Sequence, residues 1–427
     1  MVSAHPLLTE SCLSLKTEQL FNLLTEIENV LIIQDLDGVC MGLVQDPLNR
    51  VIDLDYVKAT QQFEGHFYVL TNGEHIGKRG VNGIVERAAG GVEIAQRQGF
   101  YLPGLAAGGV QWQDRKGRID HPGVSEAELQ FLGAVPERIQ GCLEQFASHY
   151  LPGFSPELIE GAIDASVLDN VASPTANLNT FYGLLREQNQ AGWYGKLQEA
   201  IAHLMSQLLQ EAAAQGLGDS FFVHYAPNLG RDERGLERLK PFAEGDSGTT
   251  DFQFMLTGGV KEAGVVALLN RYYGQRTGTY PLGESFSVRT APQTLEGLLD
   301  LVQRHFDPQW MPVIVGVGDT VTSQVEEREG KRVVCRGGSD RNFLQLVQNI
   351  GEAFKMGNVV VYIDSSRGEV KNRRSVKVEQ VNGEAKVTEN PCDPKDVDDP
   401  LTLNLVFAGG HEEYCTLFKR AASVRSF

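Results

Sequence analysis

The stretch Val30-Leu31-Ile32-Ile33-Gln34-Asp35-Leu36-Asp37-Gly38 decides how the rest of the chain is read. Four consecutive apolar residues without polar alternation fit a strand buried on both faces, as in a parallel sheet covered by helices. The run stops at Gln34 and Asp35, and Gly38 closes it as a turn, so two carboxylates two positions apart sit at the carboxyl end of a buried strand. Ligands of open parallel sheets bind beyond that end, where loops from different strands converge. Asp-x-Asp-Gly by itself reads equally well as a turn signal. At the lip of a buried strand, however, the two carboxylates repel each other and lose water, a cost that a hard divalent cation relieves. Magnesium suits an all-oxygen site that also binds phosphate.

Working outward, His66 to Leu70 reads as a second strand ending at Thr71-Asn72-Gly73, and residues 75–89 as the helix after it. Phe100 to Leu102 reads as a third strand. Val110 to Trp112 and Arg118 to Asp120 flank the Arg115-Lys116-Gly117 turn as a hairpin. The character then changes: helical patterns cover 125–150 and 192–215, separated by a stretch rich in Ser, Asn and Thr. The α/β pattern returns near Val260, where Lys261 opens a segment with Val265, Leu268, Leu269 and Tyr272 at helical spacing. Pro312 to Val317 is an apolar strand running into Gly318-Asp319-Thr320, and Val359 to Ile363 another, ending at Asp364. The Asp- and Pro-rich segment 385–400 reads as a solvated loop. The expected organisation is an α/β core, residues 1–121 and 257–427, interrupted by an inserted domain over 122–256.

At 427 residues the chain is long enough for two units with separate cores. With 42% hydrophobic and 22% charged residues it is an ordinary globular composition, which excludes disordered and fibrous classes. The net charge of −17 repels nucleic acid and anionic lipid, so neither is an expected partner, and an anionic small molecule needs a local cation. Six scattered cysteines contain no C-x-x-C pair, which reads as free thiols in a reducing compartment. No basic start followed by an apolar run opens the chain, and no stretch approaches a membrane span, so a cytoplasmic location is expected.

Further groups complete the chemistry. Asp319 supplies another carboxylate at a strand end. Thr71 offers a hydroxyl, and the Asn72-Gly73 turn can bring backbone N–H groups to a phosphate oxygen, although Asn-Gly after a strand is also an ordinary turn. Lys261 stands in the first turn of its helix, where the macrodipole disfavours a cation unless an anion lies between them.

The series strand-Asp-x-Asp-Gly, strand-Thr-Asn-Gly, Lys at a helix start and strand-Gly-Asp resembles the four motifs of the haloacid dehalogenase superfamily. The resemblance implies a Rossmannoid parallel-sheet core with a large inserted α+β cap. It implies that Asp35 is the nucleophile of a phosphatase, Asp37 its general acid and base, and that Thr71, Asn72 and Lys261 hold the phosphate. Asp319 would bind Mg2+ with the Asp35 carboxylate and the Asp37 backbone carbonyl.

One departure from the family pattern is that Thr320 to Gln324 contains no second acidic residue; Asp340 would supply it after a charged loop over 325–336. Gly245 to Asp251 imitates the fourth motif but follows a polar segment, which assigns it to the insertion. The insertion resembles the cap of the sugar-phosphate phosphatase branch, so a sugar phosphate is the expected small-molecule substrate. Asp169, Asn170, Thr175, Asn177 and Asn179 in one stretch, and His224, Tyr225, Asn228, Arg231 and Arg234 in another, are the candidates for pairing with sugar hydroxyls, although such residues also make turns and surface ion pairs. Sucrose or trehalose phosphate, transfer to a sugar instead of water, and a non-catalytic sugar-phosphate-binding regulator are the alternatives.

Overall fold

The computed structural model describes residues 11–233, 235–328, 331–370 and 373–426. Apolar runs in the sequence become the centre of an eight-stranded sheet: β1 (Val30–Gln34), β2 (Phe67–Leu70), β3 (Gly104–Ala106), β4 (Gln111–Gln113), β5 (Ile119–Asp120), β6 (Val313–Gly318), β7 (Val359–Ile363) and β8 (Leu405–Phe407). Their spatial order is β8-β7-β6-β1-β2-β3-β4-β5. The six strands from β8 to β3 run parallel, and β4 and β5 add an antiparallel edge. This is the expected α/β, Rossmannoid core.

Strand β1 is central, paired with β6 on one side and β2 on the other, so Asp35 and Thr71 and the Asp319 loop all leave the sheet at its carboxyl edge. Helices cover both faces, and β1 shows the division residue by residue. Leu31 and Ile33 pack with Val266, Leu269, Leu344 and Val347, from the helices Lys261–Thr277 and Arg341–Phe354. Val30 and Ile32 pack with Leu20, Tyr56 and Phe418, from the helices Glu18–Glu26, Leu54–Thr60 and His411–Val424. Each such fully buried side chain contributes roughly 1.5–3 kcal/mol relative to exposure, which fixes the register that aims the strand ends.

Between β5 and the helix of Lys261 the chain builds a second, antiparallel sheet in the order Val167–Leu168, Thr175–Asn177, Asp251–Leu256, Phe221–Ala226. The helices Glu126–Gly133, Val135–Tyr150 and Gly192–Ala214 provide its apolar partners, among them Leu132, Ile139, Leu197 and Ile201. Ser125 and Glu128 form a capping box that starts the first of these helices. A short hairpin, Asn228–Arg231 with Glu237–Leu239, stands beside the sheet.

Several local expectations are corrected. Phe100 to Leu102 is not a strand; the third strand is Gly104–Ala106, just beyond Pro103. Gly104 has φ +140°, and a Cβ there would lie 2.2 Å from the Val69 carbonyl oxygen, so the close pairing with β2 requires glycine. The helix expected over 75–89 starts only at Val81, because Gly77 and Gly80 make a turn ahead of it. The Ser-, Asn- and Thr-rich stretch contains two helices, Pro156–Ser166 and Asn179–Glu187. Residues 325–336 are not a loop but most of a hairpin, Thr322–Arg328 with Lys331–Gly337, whose polar strands pair Glu327 with Arg332. Segment 385–400 opens on an exposed strand, Glu384–Glu389, and its Asp396 is buried against Arg336. Among the described residues no helix is long and apolar enough to cross a membrane.

Candidate active site

The carboxyl edge of the sheet brings Asp35, Lys261, Asp319 and Asp340 into one buried cluster. Lys261 Nζ donates to Asp35 Oδ2 at 2.8 Å and to Asp340 Oδ1 at 2.6 Å. The other oxygen of Asp340 accepts from the backbone N–H groups of Asp319 (2.8 Å) and Thr320 (3.0 Å), which holds the loop after β6 against the lysine. Asp319 accepts from Thr320 Oγ1 at 2.7 Å and from Ser365 Oγ at 2.6 Å, and Arg373 lies 3.5 Å away. Two glycines make this crowding possible. A Cβ on Gly38, which has φ +81°, would sit 2.2 Å from Asp319 Oδ2, and one on Gly318 would sit 2.7 Å from Asp340 Oδ2. Gly38 therefore serves as more than a turn residue: it leaves room for the facing carboxylate.

Burial governs the electrostatics. It pushes the Asp35 carboxyl well above its ordinary range, against the pull of Lys261, and lifts Asp319 to about 6 against Arg373. Asp340 is also desolvated, yet Lys261 and the two backbone donors hold it below its ordinary value. Burial disfavours the charged Lys261, but Asp340 and Asp35 outweigh it and keep the ammonium protonated.

These residues fit a divalent cation. Carboxylate oxygens of Asp35, Asp319 and Asp340 lie within 4.8 Å of one another, and Asp35 Oδ1 is buried without a hydrogen-bond partner among the described residues. Three carboxylates face two cations, Lys261 and Arg373, so the cluster retains an excess of negative charge in low dielectric, which a hard cation would relieve. The side chain of Asp37 is not in this cluster: it projects into the cleft and pairs with Arg50 at 2.9 Å. Arg50 is fixed in turn by the carbonyls of Pro47 and Arg79.

The turn after β2 is closed by the Thr71 hydroxyl, which accepts from the Gly73 N–H at 3.2 Å. Its backbone is supported from below by the segment after β3, where Ala107 N–H donates to the Gly73 carbonyl and Gly108 N–H to that of Thr71. Asp35, Asp37, Thr71, Asn72, Lys261 and Asp319 all line one cleft. The inserted region lines its opposite wall with Asn170, Asn177, Asn179, Thr250, Asp251 and Gln253.

Of the described sequence candidates in the insertion, Asn170, Asn177 and Asn179 line this cleft. The Asn177 amide donates to Asp251 at 2.7 Å, and the Thr250 hydroxyl donates to the same carboxylate at 2.8 Å. His224, Asn228 and Arg231 instead line an adjoining cavity that shares Asn72 and Lys261 with the cleft. Asn228 is used within its hairpin, accepting from Gly230 N–H at 2.9 Å, and Arg231 pairs with Glu262 at 3.4 Å. Asp169 is exposed, 4.0 Å from Arg79. Arg234 lies outside the described residues.

Several site residues were not found from sequence. Asp251 and Gln253 belong to a strand whose pairing was not legible. Glu74 follows the Thr-Asn-Gly turn directly and is buried, and Arg50, Arg79 and Arg373 surround the cleft with positive charge. The signal for Glu74 was its position: a carboxylate one residue past a strand-end turn.

The comparisons with known proteins extend over nearly the whole chain. The family model described as glucosylglycerol-phosphate phosphatase matches residues 29–422. A glucosylglycerol-phosphate phosphatase from Synechocystis sp. is 61% identical over 402 residues, covering 94% of each chain. Among solved structures, the C-terminal domain of Candida albicans trehalose-6-phosphate phosphatase aligns with a TM-score of 0.46 at 10% identity, covering 97% of this chain and 100% of that one. The C-terminal domain of the Candida albicans trehalose synthase regulatory protein aligns with a TM-score of 0.39 at 8% identity, covering 85% and 94%. With a family match from residue 29 to residue 422 and a relative of this identity aligned end to end, the chain belongs to the glucosylglycerol-phosphate phosphatase family.

Proposed function

We propose that this protein is a Mg2+-dependent phosphatase that hydrolyses glucosylglycerol 3-phosphate to glucosylglycerol and phosphate, through an aspartyl-phosphate on Asp35, in compatible-solute synthesis under salt stress. The observation that carries the mechanism is the buried Asp35-Lys261-Asp340-Asp319 cluster, open to a cleft through Asp35 and Lys261. The substrate rests on family membership and on the extent of the match.

In this reading Asp35 attacks phosphorus, and the bond from phosphorus to the glycerol oxygen breaks as the new one forms. Thr71, the Asn72-Gly73 turn and Lys261 bind the phosphate oxygens, with Lys261 held ready by Asp340. Asp37 gives its proton to the departing alcohol and then takes one from the water that hydrolyses the acyl-phosphate. Arg50 fixes where the Asp37 carboxylate stands. Asp35, the Asp37 backbone carbonyl, Asp319 and Asp340 would hold Mg2+, which would neutralise phosphate charge so that an anionic carboxylate can approach it. Asp340 already commits both oxygens to Lys261 and the backbone, which ranks it below Asp35 and Asp319 as a direct ligand.

The region 122–256 acts as a cap that selects the leaving group. Its wall of amides and one carboxylate presents donors and acceptors to an uncharged, hydroxyl-rich group; Gln253 Oε1 is buried there without a partner among the described residues. The free cysteines favour work in a reducing compartment such as the cytoplasm. The test is phosphate release, with magnesium and then with EDTA, from glucosylglycerol 3-phosphate beside sucrose, trehalose and glycerol phosphates. Magnesium-dependent preference for the first is expected. A different preferred substrate would overturn the specificity, and no release from any would overturn the mechanism.

A further inference from the structure

The turn that follows β2 is tied to the inserted region from both of its ends. At one end the Asn72 amide Nδ2 donates to His224 Nε2 at 2.8 Å, and His224 Nδ1 donates to Glu237 Oε1 at 2.9 Å. Glu237 Oε2 is anchored by Tyr225 N–H at 3.0 Å and Asn228 Nδ2 at 3.1 Å. At the other end the buried Glu74 accepts from the N–H groups of Val171 (2.9 Å) and Ala172 (2.5 Å) and from the hydroxyl of Ser173 (3.1 Å).

These contacts have a defined chemical direction. A carboxylate only accepts, so Glu237 holds a proton on His224 Nδ1, and the Asn72 amide takes Nε2 as its acceptor. Glu237 accepts from His224, from the Tyr225 N–H and from the Asn228 amide, which holds it in place as an acceptor. With Nδ2 committed, the carbonyl half of the Asn72 side chain has one orientation, and the amide cannot swing across the turn. Neither His224 nor Glu237 lines the cleft itself, whereas Asn72 does.

We propose that His224 and Glu237 are positioning residues that set the phosphate-binding turn Thr71–Glu74 from the inserted region, so that the turn is complete only while the insertion is docked on the core. The proposal rests on the phosphatase reading and departs from the sequence expectation that His224 pairs with the sugar. A sugar contact and a positioning contact differ in what they spare. Asn72 serves the phosphate, which every substrate shares, whereas a sugar contact serves only the natural leaving group.

The experiment uses the full chain with magnesium and compares His224→Ala, His224→Gln, Glu237→Gln and the double variant His224→Ala/Glu237→Gln on glucosylglycerol 3-phosphate and on p-nitrophenyl phosphate. Expected is a loss in kcat/KM on the order of tenfold to a hundredfold for His224→Ala, equal on both substrates, as displaced positioning costs. Weaker inhibition by inorganic phosphate, partial recovery in His224→Gln, whose Oε1 can accept from Asn72, and a double variant no worse than the worse single one should accompany it. A loss confined to the sugar substrate would make His224 a sugar contact and overturn the proposal, as would no loss on either. So would a loss that follows a lowered melting temperature in every variant and is not recovered by glutamine. Wild-type protein that releases no phosphate defeats the phosphatase reading instead; the turn is then read by calorimetry of inorganic phosphate, which these variants must still weaken.

Discussion

Asp35 is the residue on which the proposed chemistry depends most directly, and its surroundings dictate what a substitution does. Asp35→Asn keeps the shape and removes the nucleophile, so kcat should fall by a factor on the order of 10⁴ or more, with the melting curve little changed. Because Asp35 is buried against Lys261, the neutral amide also relieves a desolvated charge, which keeps loss of fold from explaining the result. Turnover retained in phosphate-release assays would remove Asp35 from its role. Gly38 is the second sensitive residue. Gly38→Ala places a Cβ 2.2 Å from Asp319 Oδ2 in a left-handed backbone. The strain should cost about 1–3 kcal/mol in urea unfolding. It should also raise the magnesium concentration needed for half-maximal activity, because Asp319 must move. Lowered stability with an unchanged magnesium titration would mean that Asp319 is not a ligand.

Elements explain which parts of this were legible in the sequence. Strands β1, β2, β6 and β7 were readable because each is a run of apolar residues buried on both faces that stops abruptly, and the residues just past the first three, Asp35, Thr71 and Asp319, are site residues. Strand β3 was not, because Gly104-Leu105-Ala106 has almost no β propensity, while Phe100 to Leu102 beside it has plenty; close approach to Val69, not propensity, selects the residues there. The hairpin over 322–337 was hidden by its charges, since a strand pair lying on the surface needs no apolar run. The cleft wall of the insertion was hidden for another reason. Asn177 and Asp251 face each other only because Thr175–Asn177 pairs antiparallel with Asp251–Leu256, a register between residues 74 positions apart and invisible in either strand alone. The imitation of the fourth motif at Gly245 to Asp251 leads into the second sheet, where its last residue, Asp251, opens a strand and lines the cleft from the far side. On the strand of Asp251, Gln253→Ala should raise KM for the sugar phosphate roughly tenfold, the value of a lost hydrogen bond to a buried partner, and leave p-nitrophenyl phosphate turnover unchanged. Equal effects on both substrates would remove Gln253 from leaving-group recognition.

At the scale of the whole molecule the net charge of −17 can be compared in ångströms with the screening length of the surrounding salt. An exposed surface of 18371 Å² shared by 17 unbalanced negative charges gives each about 1,100 Å², a mean spacing of roughly 33 Å. The Debye length is about 30 Å at 0.01 M salt, 10 Å at 0.1 M and 3 Å at 1 M, so self-repulsion acts in dilute buffer and is largely gone by 0.1 M. Opposing it are exposed ion pairs such as Lys58–Asp55 and Lys377–Glu389, which salt also screens. Each contributes only about 0–1 kcal/mol, and most of the stabilising burial lies in the two apolar cores that salt does not weaken. The melting temperature in chelator should therefore rise between about 0.01 and 0.1 M NaCl and hold level to 1 M. Chelator matters because magnesium bound at the Asp35 cluster would add its own stabilisation and mask the trend. A melting temperature that falls steadily across the range would mean that the surface ion pairs outweigh net repulsion.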